Sequence, residues 1–210
     1  LAHIGTTLLK NTMGEQYIGI STAFAKDGKA NRRLDSEGIS VAPDGTFWIS
    51  DEYGPHILQF DQTGKQIGAL KAPEGFEIAT PGPNLKTEMA NNKIGRATNR
   101  GAEGLTLTPS GRYLAIAMQS PLLQDGGQKG LNSRIVIYDL QNKSAAPRQF
   151  IYPFDDTKMG ISEILAVDET RFLVNERDAA AGKNGRKLLY LVDTNQSEKP
   201  TELTSAGYAG

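Results

Sequence analysis

Short runs of alternating apolar and polar residues recur along the chain and are joined by tight turns. In the first block, the runs 37–42 and 46–50 flank the turn Pro43-Asp44-Gly45. Proline presets φ and glycine supplies a positive φ, so this turn favours a reversal between two antiparallel strands. A second block has the same pattern around residues 109–111, and a weaker third around 168–170. The pattern predicts β-hairpins, with only a short helical turn near 84–91.

Each hairpin is followed by a third apolar run that ends in aspartate, at residues 56–61, 134–139 and 187–193. A fourth run is clearest at 65–70. Three or four antiparallel strands per repeat are typical of a propeller blade, so we expect an all-β fold of the β-propeller type. The whole chain, 1–210, forms a single propeller region with blocks at about 1–34, 35–99, 100–160 and 161–210.

The repeat is longer than the roughly 40–45 residues of a compact blade. The additional residues fall at 72–99, 119–132 and 145–160, where they form either functional loops or mobile decoration. Two runs before the first block, 6–10 and 17–24, resemble the tail of an earlier blade. The chain thus holds about three to four blades, fewer than a typical closed ring needs. We expect a six- or seven-bladed ring that a further chain segment or a second copy completes, since open blades would expose sheet edges.

Composition narrows the function classes. Lys plus Arg number 23 and Asp plus Glu number 24, so a net charge of −1 argues against a nucleic-acid partner. The absence of cysteine excludes disulfides, thiol catalysis and cysteine-ligated metals. No apolar run approaches the ~20 residues of a membrane span, and no signal segment is recognisable. The elbow motif of serine hydrolases and the glycine-rich phosphate loops are also missing from the sequence.

Acidic residues recur where the repeats begin. The first strand of a propeller blade lies closest to the axis, so Glu37, Glu103 and Glu163 would converge on one mouth of the channel. The ends of the second strands add further carboxylates. Clustered carboxylates raise one another's pKa, and a cation can neutralise them. Oxygen donors without cysteine favour Ca²⁺, which is the predicted cofactor. The predicted metal ligands are Glu37, Asp51, Glu103, Glu163 and Glu176.

Arginine side chains offer a different explanation for the same carboxylates. Arg100 and Arg177 stand beside two of them, and each glutamate could pair with an arginine or accept backbone N–H groups. Metal site and structural pairing both stay open. His56 is either a general base beside carboxylates or a simply exposed side chain. The candidate catalytic residues are Glu52, His56, Arg100 and Arg177.

Five motifs in fixed order resemble the phytase-like family known for an esterase-like activity. They are DSEGI at 35–39, WISDEYGP at 48–55, NRGAEGL at 99–105, QSPL at 119–122 and FLVNERD at 172–178. The resemblance implies a β-propeller, related in shape to calcium-dependent phytases and usually exported from bacteria to the periplasm or the medium. The residues that match the family's acidic positions are Asp35, Glu37, Asp51, Glu52, Glu103, Glu163, Glu176 and Asp178. Gln119 stands where the other blocks have glutamate.

Two functions follow as hypotheses. One is a Ca²⁺-assisted hydrolase of small-molecule phosphate or carboxylate esters, in which an arginine holds the anion. The other is a non-catalytic propeller that binds a ligand or protein through its loop face. The long insertions and the lack of a complete nucleophile–base set favour the second hypothesis, and the repeated glutamates with neighbouring arginines favour the first.

Overall fold

The fold consists of three antiparallel sheets, each a meander in chain order. A computed structural model describes residues 1–21 and 32–195. Within these ranges the first and second sheets have four strands and the third has three. The first sheet comprises β1 (Ser36–Val41), β2 (Phe47–Asp51), β3 (Ile57–Phe60) and β4 (Gln66–Leu70). The second comprises β5 (Ala102–Leu107), β6 (Tyr113–Met118), β7 (Asn132–Asp139) and β8 (Arg148–Pro153). The third comprises β9 (Gly160–Ala166), β10 (Arg171–Arg177) and β11 (Lys187–Asp193).

This arrangement confirms the all-β expectation and the hairpin repeat. Each predicted turn joins the first two strands of one sheet, and each predicted third run forms the third strand. The predicted helical turn is α1 (Leu85–Asn91), whose first turn is capped by the Asn84 side chain. The end of the fourth block, residues 196–210, lies outside the described residues, as do residues 22–24 of the run 17–24.

The sheets meet through their first strands, with β1 against β5 and β5 against β9. Glycine permits this close approach. A Cβ on Gly38 would lie 2.6 Å from the Leu105 nitrogen, and one on Gly104 would lie 2.5 Å from the Ile164 nitrogen. The Ser50 hydroxyl adds a hydrogen bond of 2.9 Å to the Glu103 carbonyl. The glutamate-glycine pair that opens the first two blocks therefore places a carboxylate next to a tight contact between sheets.

Two apolar layers fill the space between the sheets. Burial of these side chains supplies the main stabilisation of the sheet stack. Between the first and second sheets the layer includes Trp48, Ile57, Leu105, Leu114 and Met118. Between the second and third it includes Ile135, Tyr152, Ile164, Phe172 and Val174.

Two segments differ from the expectation. Residues 6–10 and 17–21 form only isolated bridges, such as Lys10 with Lys65, and Leu9 and Tyr17 pack on the outer face of the first sheet. This N-terminal segment therefore covers part of the first sheet. In the predicted insertion 145–160, residues 148–153 are the edge strand β8, whose last residue is a proline. None of the helices in residues 1–21 and 32–195 has the length and apolar character to cross a membrane.

Candidate acidic site

Three carboxylates meet at the edge where β1 begins and β2 ends. Asp35 precedes β1, Glu37 lies within it, and Glu52 directly follows β2. The β1–β2 pairing brings these positions together, because the Glu52 amide donates to the Asp35 carbonyl at 2.9 Å. One carboxylate oxygen from each of the three lies within 4.8 Å of those of the others. We call Asp35, Glu37 and Glu52 the acidic cluster.

Glu103 brings a further carboxylate close to the acidic cluster from β5. It is buried, and its Oε2 accepts a hydrogen bond of 2.7 Å from the Gln119 amide. Its Oε1 lies 3.5 Å from Nη2 of Arg177, at the end of β10. Gln119 therefore has a definite role where the other blocks carry an acidic residue, since its amide holds Glu103 in place.

The carboxylates of the acidic cluster and of Glu103 repel one another, and burial acts in the same direction on their pKa values. Burial, followed by the charge of Glu103, raises the pKa of Glu37 to about 7 and that of Glu52 to about 8. Burial also raises the pKa of Glu103, although Gln119 and Arg177 act in the opposite direction. Carboxylates in such an arrangement either retain protons near neutral pH or share a cation. An all-oxygen donor set of this kind fits a hard cation such as Ca²⁺.

Asp51 supports the corner that carries the acidic cluster. It is fully buried, and its Oδ1 accepts hydrogen bonds from the Asp35 amide at 2.8 Å and the Tyr53 amide at 3.1 Å. Its Oδ2 has no hydrogen-bond partner in the described part of the chain and lies 3.9 Å from Nε2 of His56. Burial, above all, raises the pKa of Asp51. The His56 side chain is half exposed.

Two predicted metal ligands have partners elsewhere. Glu163 accepts from the Leu105 amide at 3.3 Å and from the Ile164 amide at 2.9 Å. Glu176 is buried and accepts a hydrogen bond of 2.5 Å from the Tyr152 hydroxyl. Glu163 thus shows the backbone pairing that the sequence left open as an alternative, and Glu176 belongs to the layer between the second and third sheets.

A buried ion pair fixes the same corner from the insertion 72–99. Nε of Arg96 donates to the Tyr53 carbonyl at 2.7 Å and the Gly54 carbonyl at 2.9 Å. Its Nη1 lies 2.8 Å from Oε1 of Glu88 in α1, and both side chains are almost completely buried. Sequence reasoning missed Arg96 and Glu88, since a single arginine in a polar connection gives no signal of burial. This part of the insertion is packed and supports the residues that flank Glu52.

The predicted arginines lie on the side of the site that faces the third sheet. Nη1 of Arg100 lies 3.3 Å from the Ser120 hydroxyl, and Arg177 contacts both Glu103 and Ser162. Both guanidinium groups border a polar cleft between the second and third sheets. The structure therefore places acidic and cationic groups next to each other at one edge of the sheets. Of the predicted catalytic residues, only Glu52 is a member of the acidic cluster.

Comparison with known proteins finds a matching family model and a relative. A model of the phytase-like family, described as the esterase-like activity of phytase, matches residues 1–209. An uncharacterized secreted protein of Arthroderma benhamiae is 33% identical over 192 residues, which cover 76% of this chain and 38% of that protein. The chain therefore spans well under half of that relative.

Two solved structures show weaker similarity. Virginiamycin B lyase from Staphylococcus aureus gives a TM-score of 0.41 at 14% identity and covers 95% of this chain and 56% of its own. A protein of unknown function from Bacteroides caccae gives 0.39 at 13% identity and covers 76% and 46%.

Proposed function

The chain belongs to the phytase-like family, and from this membership we propose that it hydrolyses phosphate or carboxylate esters of small molecules with the help of bound Ca²⁺. The acidic cluster is the observation that carries this proposal. Its three carboxylates lie within 4.8 Å of one another, and burial and repulsion raise two of their pKa values. A cation would relieve that repulsion, which is the physical reason to expect one there.

The carboxylates of the proposed site would have two roles. Asp35, Glu37 and Glu52 would hold the cation, which when bound supplies positive charge that polarises an ester oxygen and acidifies water. Glu103 stays fixed between Gln119 and Arg177 and adds negative charge beside the cluster.

The predicted arginines and histidine complete the proposed site. Arg100 and Arg177 would attract the anionic part of the ester, because guanidinium groups form charge-assisted hydrogen bonds with phosphate and carboxylate. His56 is the candidate general base, since its half-exposed side chain stands beside the buried carboxylate of Asp51, with Nε2 3.9 Å from Oδ2.

We also propose that the three sheets are blades of a six- or seven-bladed propeller. Each sheet has the strand order of a blade, and the first strands of the three sheets lie side by side. A further chain segment or a second copy would complete the ring. The secreted relative supports export of this protein from the cell.

The second candidate function is a non-catalytic propeller that binds a ligand or a protein. The packing of the insertion 72–99 against the corner of the site is compatible with this function, because it holds part of the loop face rigid, as recognition requires. No serine or threonine nucleophile is hydrogen-bonded to a histidine near the acidic cluster in the described residues. An ester hydrolase would therefore depend on water as the nucleophile.

Cation binding and turnover test the proposal separately. We expect Ca²⁺ to raise the melting temperature above its value in EDTA, and to support hydrolysis of a chromogenic phosphate or carboxylate ester. Glu52→Gln should remove both effects. Glu74→Gln, at an exposed glutamate of the insertion, is the matched control and should keep both. If Ca²⁺ stabilises Glu52→Gln as well as the parent chain, the acidic cluster is not the cation site. Stabilisation without any turnover would favour the binding function.

A further inference from the structure

A polar cleft of about 330 Å³ lies between the second and third sheets, at the same edge as the acidic cluster. Five segments of the chain line it, one of them through Gln128. Arg100 comes from the connection before β5 and Ser120 from the residues after β6. The turn 157–159 precedes β9, and residues 178–180 follow β10. Converging segments of this kind can present several side chains to one small molecule.

The charge that lines this cleft is mainly positive. Arg100, Lys158 and Arg177 line it or its smaller neighbour, and Asp178 is the one carboxylate that the described part of the chain contributes to the lining. That carboxylate is already satisfied within the fold. Its Oδ1 accepts from the Ala180 and Arg186 amides at 3.2 and 3.1 Å, and it lies 3.3 Å from Nζ of Lys187. Asp178 therefore does not neutralise the cations that face the cleft.

The cations of the cleft have unused hydrogen-bond donors. Across residues 1–21 and 32–195, neither Arg100 nor Lys158 takes part in an ion pair. Arg100 is partly buried, and its side chain makes a hydrogen bond of 3.3 Å with the Ser120 hydroxyl. A guanidinium carries five N–H donors and an ammonium three, so most of them are available to a ligand. The charge of Arg100 acts on the carboxyl of Glu103 but forms no direct ion pair with it, and a partly buried arginine of this kind can still accept an external anion.

We propose that this cleft binds an oxyanion group, a phosphate or a carboxylate, between Arg100, Lys158 and the Ser120 hydroxyl. Charge-assisted hydrogen bonds from these groups supply the attraction. The cleft is larger than a single phosphate needs, so the organic part of an anionic ligand also fits. Arg100 would hold the anionic part of an ester here, as proposed above, but anion binding itself requires neither ester hydrolysis nor a cation in the acidic cluster. Arg177, which lines the smaller neighbouring cleft, would lie beside the bound anion.

Titration calorimetry with inorganic phosphate tests this site, in low salt and with EDTA present. A parallel titration with acetate distinguishes the two oxyanions, because tighter binding of one assigns the ligand class. We expect Lys158→Glu to weaken binding about tenfold or more, since it replaces an attractive charge with a repulsive one. Arg100→Gln should weaken it similarly while the melting temperature confirms folding.

Lys65→Glu is the matched control for the charge reversal. Lys65 is exposed in the turn between β3 and β4, at the opposite edge of the first sheet. The affinity of the Lys65→Glu variant for phosphate or acetate should equal that of the parent chain. Absence of binding by the parent chain, or an equal loss in Lys65→Glu, would overturn the proposal. Because the titration is run in EDTA, phosphate binding there does not depend on a metal in the acidic cluster. Phosphate binding in EDTA together with no ester turnover in a separate assay with added Ca²⁺ would refute the proposed hydrolysis and leave the anion site standing.

Discussion

At Glu52 and Glu37, burial and neighbouring carboxylates raise the pKa values to about 8 and about 7, from a usual value of 4.5. Between about pH 4.5 and pH 8, the folded chain therefore retains protons that the unfolded chain has released. The contribution of this proton binding to the free energy of unfolding is fully present below about pH 4.5 and is lost as the pH rises through 7 and 8. In EDTA, the melting temperature should fall across this window. Glu52→Gln should make the fall smaller, as scanning calorimetry at several pH values would show.

Two comparisons make that prediction specific. Glu74→Gln should keep the pH dependence of the parent chain, because Glu74 is exposed and lies outside the acidic cluster. Saturating Ca²⁺ should reduce the fall above pH 7, since a bound cation stabilises the charged carboxylates. A melting temperature that rises from pH 5 to pH 8 in EDTA would contradict the raised pKa values of Glu37 and Glu52.

The buried pair of Arg96 and Glu88 sets a second residue-scale prediction. Arg96→Ala removes hydrogen bonds to three backbone carbonyls, those of Tyr53, Gly54 and Ala97. Among the described residues it leaves Glu88 with Arg33, 3.9 Å away, as its cationic neighbour. Breaking a buried pair in this way costs about 3–5 kcal/mol. Arg112→Ala is the control, because its pair with Asp139 is partly exposed and such pairs contribute about 1 kcal/mol or less. Urea unfolding of the two variants would measure the difference, and equal losses would show that the Arg96 pair is not structural.

Residue positions were predictable only in part. The repeat led to Glu37, Asp51, Glu52 and Glu103, which lie at one corner, but it also led to Glu176, which lies on the buried face of β10 with Phe172 and Val174. The pairing of β9 with β10 shifts register between Asn175 and Glu176. The extra residue lies in β9, so the alternation of β9 is broken beside Glu163, whereas that of β10 continues through Glu176. Similar shifts occur near the glutamates of β1 and β5, so the direction of these side chains depends on tertiary structure.

At the scale of elements, the contact between β5 and β9 depends on Gly104. A Cβ there would meet backbone atoms of Glu163 and Ile164 at under 3.0 Å, and a backbone cannot yield as a flexible side chain can. We expect Gly104→Ala to destabilise the chain by about 1–3 kcal/mol through overpacking. Chemical denaturation would measure the loss.

Gly68→Ala is the comparison variant for that contact. Gly68 lies in β4, where a Cβ would come no closer than 3.4 Å to the Gln59 side chain. An alanine in a strand restricts the unfolded chain more than glycine does, so this change should be neutral or stabilising by up to about 1 kcal/mol. If Gly104→Ala were as well tolerated as Gly68→Ala, the first strands would be able to separate without cost.

The boundaries of the strands could be predicted wherever the residues of a turn favour its backbone conformation. The turns at 43–45 and 109–111 carry proline and a glycine of positive φ, at Gly45 and Gly111, and both hairpins formed around them. β8 was missed because it is an edge strand whose residues are mostly half-buried, so its sequence lacks a strong apolar pattern. Residues 6–10 form a strand-like run in the sequence, but they form only isolated bridges in the described structure.

At the scale of the whole molecule, the two end sheets of the stack carry apolar outer faces. On the third sheet, Leu165 and Leu191 both pair with Leu173, and Leu189 shares their face. Leu165, Leu189 and Leu191 are each more than half exposed. On the first sheet, Ile39 and Val41 are exposed beside the region that Leu9 and Tyr17 cover. Adjacent exposed aliphatic side chains of this kind mark surfaces that another structure covers, as the proposed ring requires.

The chain should therefore self-associate when it is studied by itself. We expect sedimentation velocity to show species larger than the monomer, in proportions that grow with protein concentration. The double variant Leu189→Thr with Leu191→Thr should shift the distribution towards monomer, because threonine keeps the strand preference and removes apolar area. Ile94→Thr changes an exposed isoleucine away from the strands and is the control. If the parent chain remains monomeric at every concentration, or if Ile94→Thr acts as strongly as the double variant, the outer face of the third sheet is not an interface.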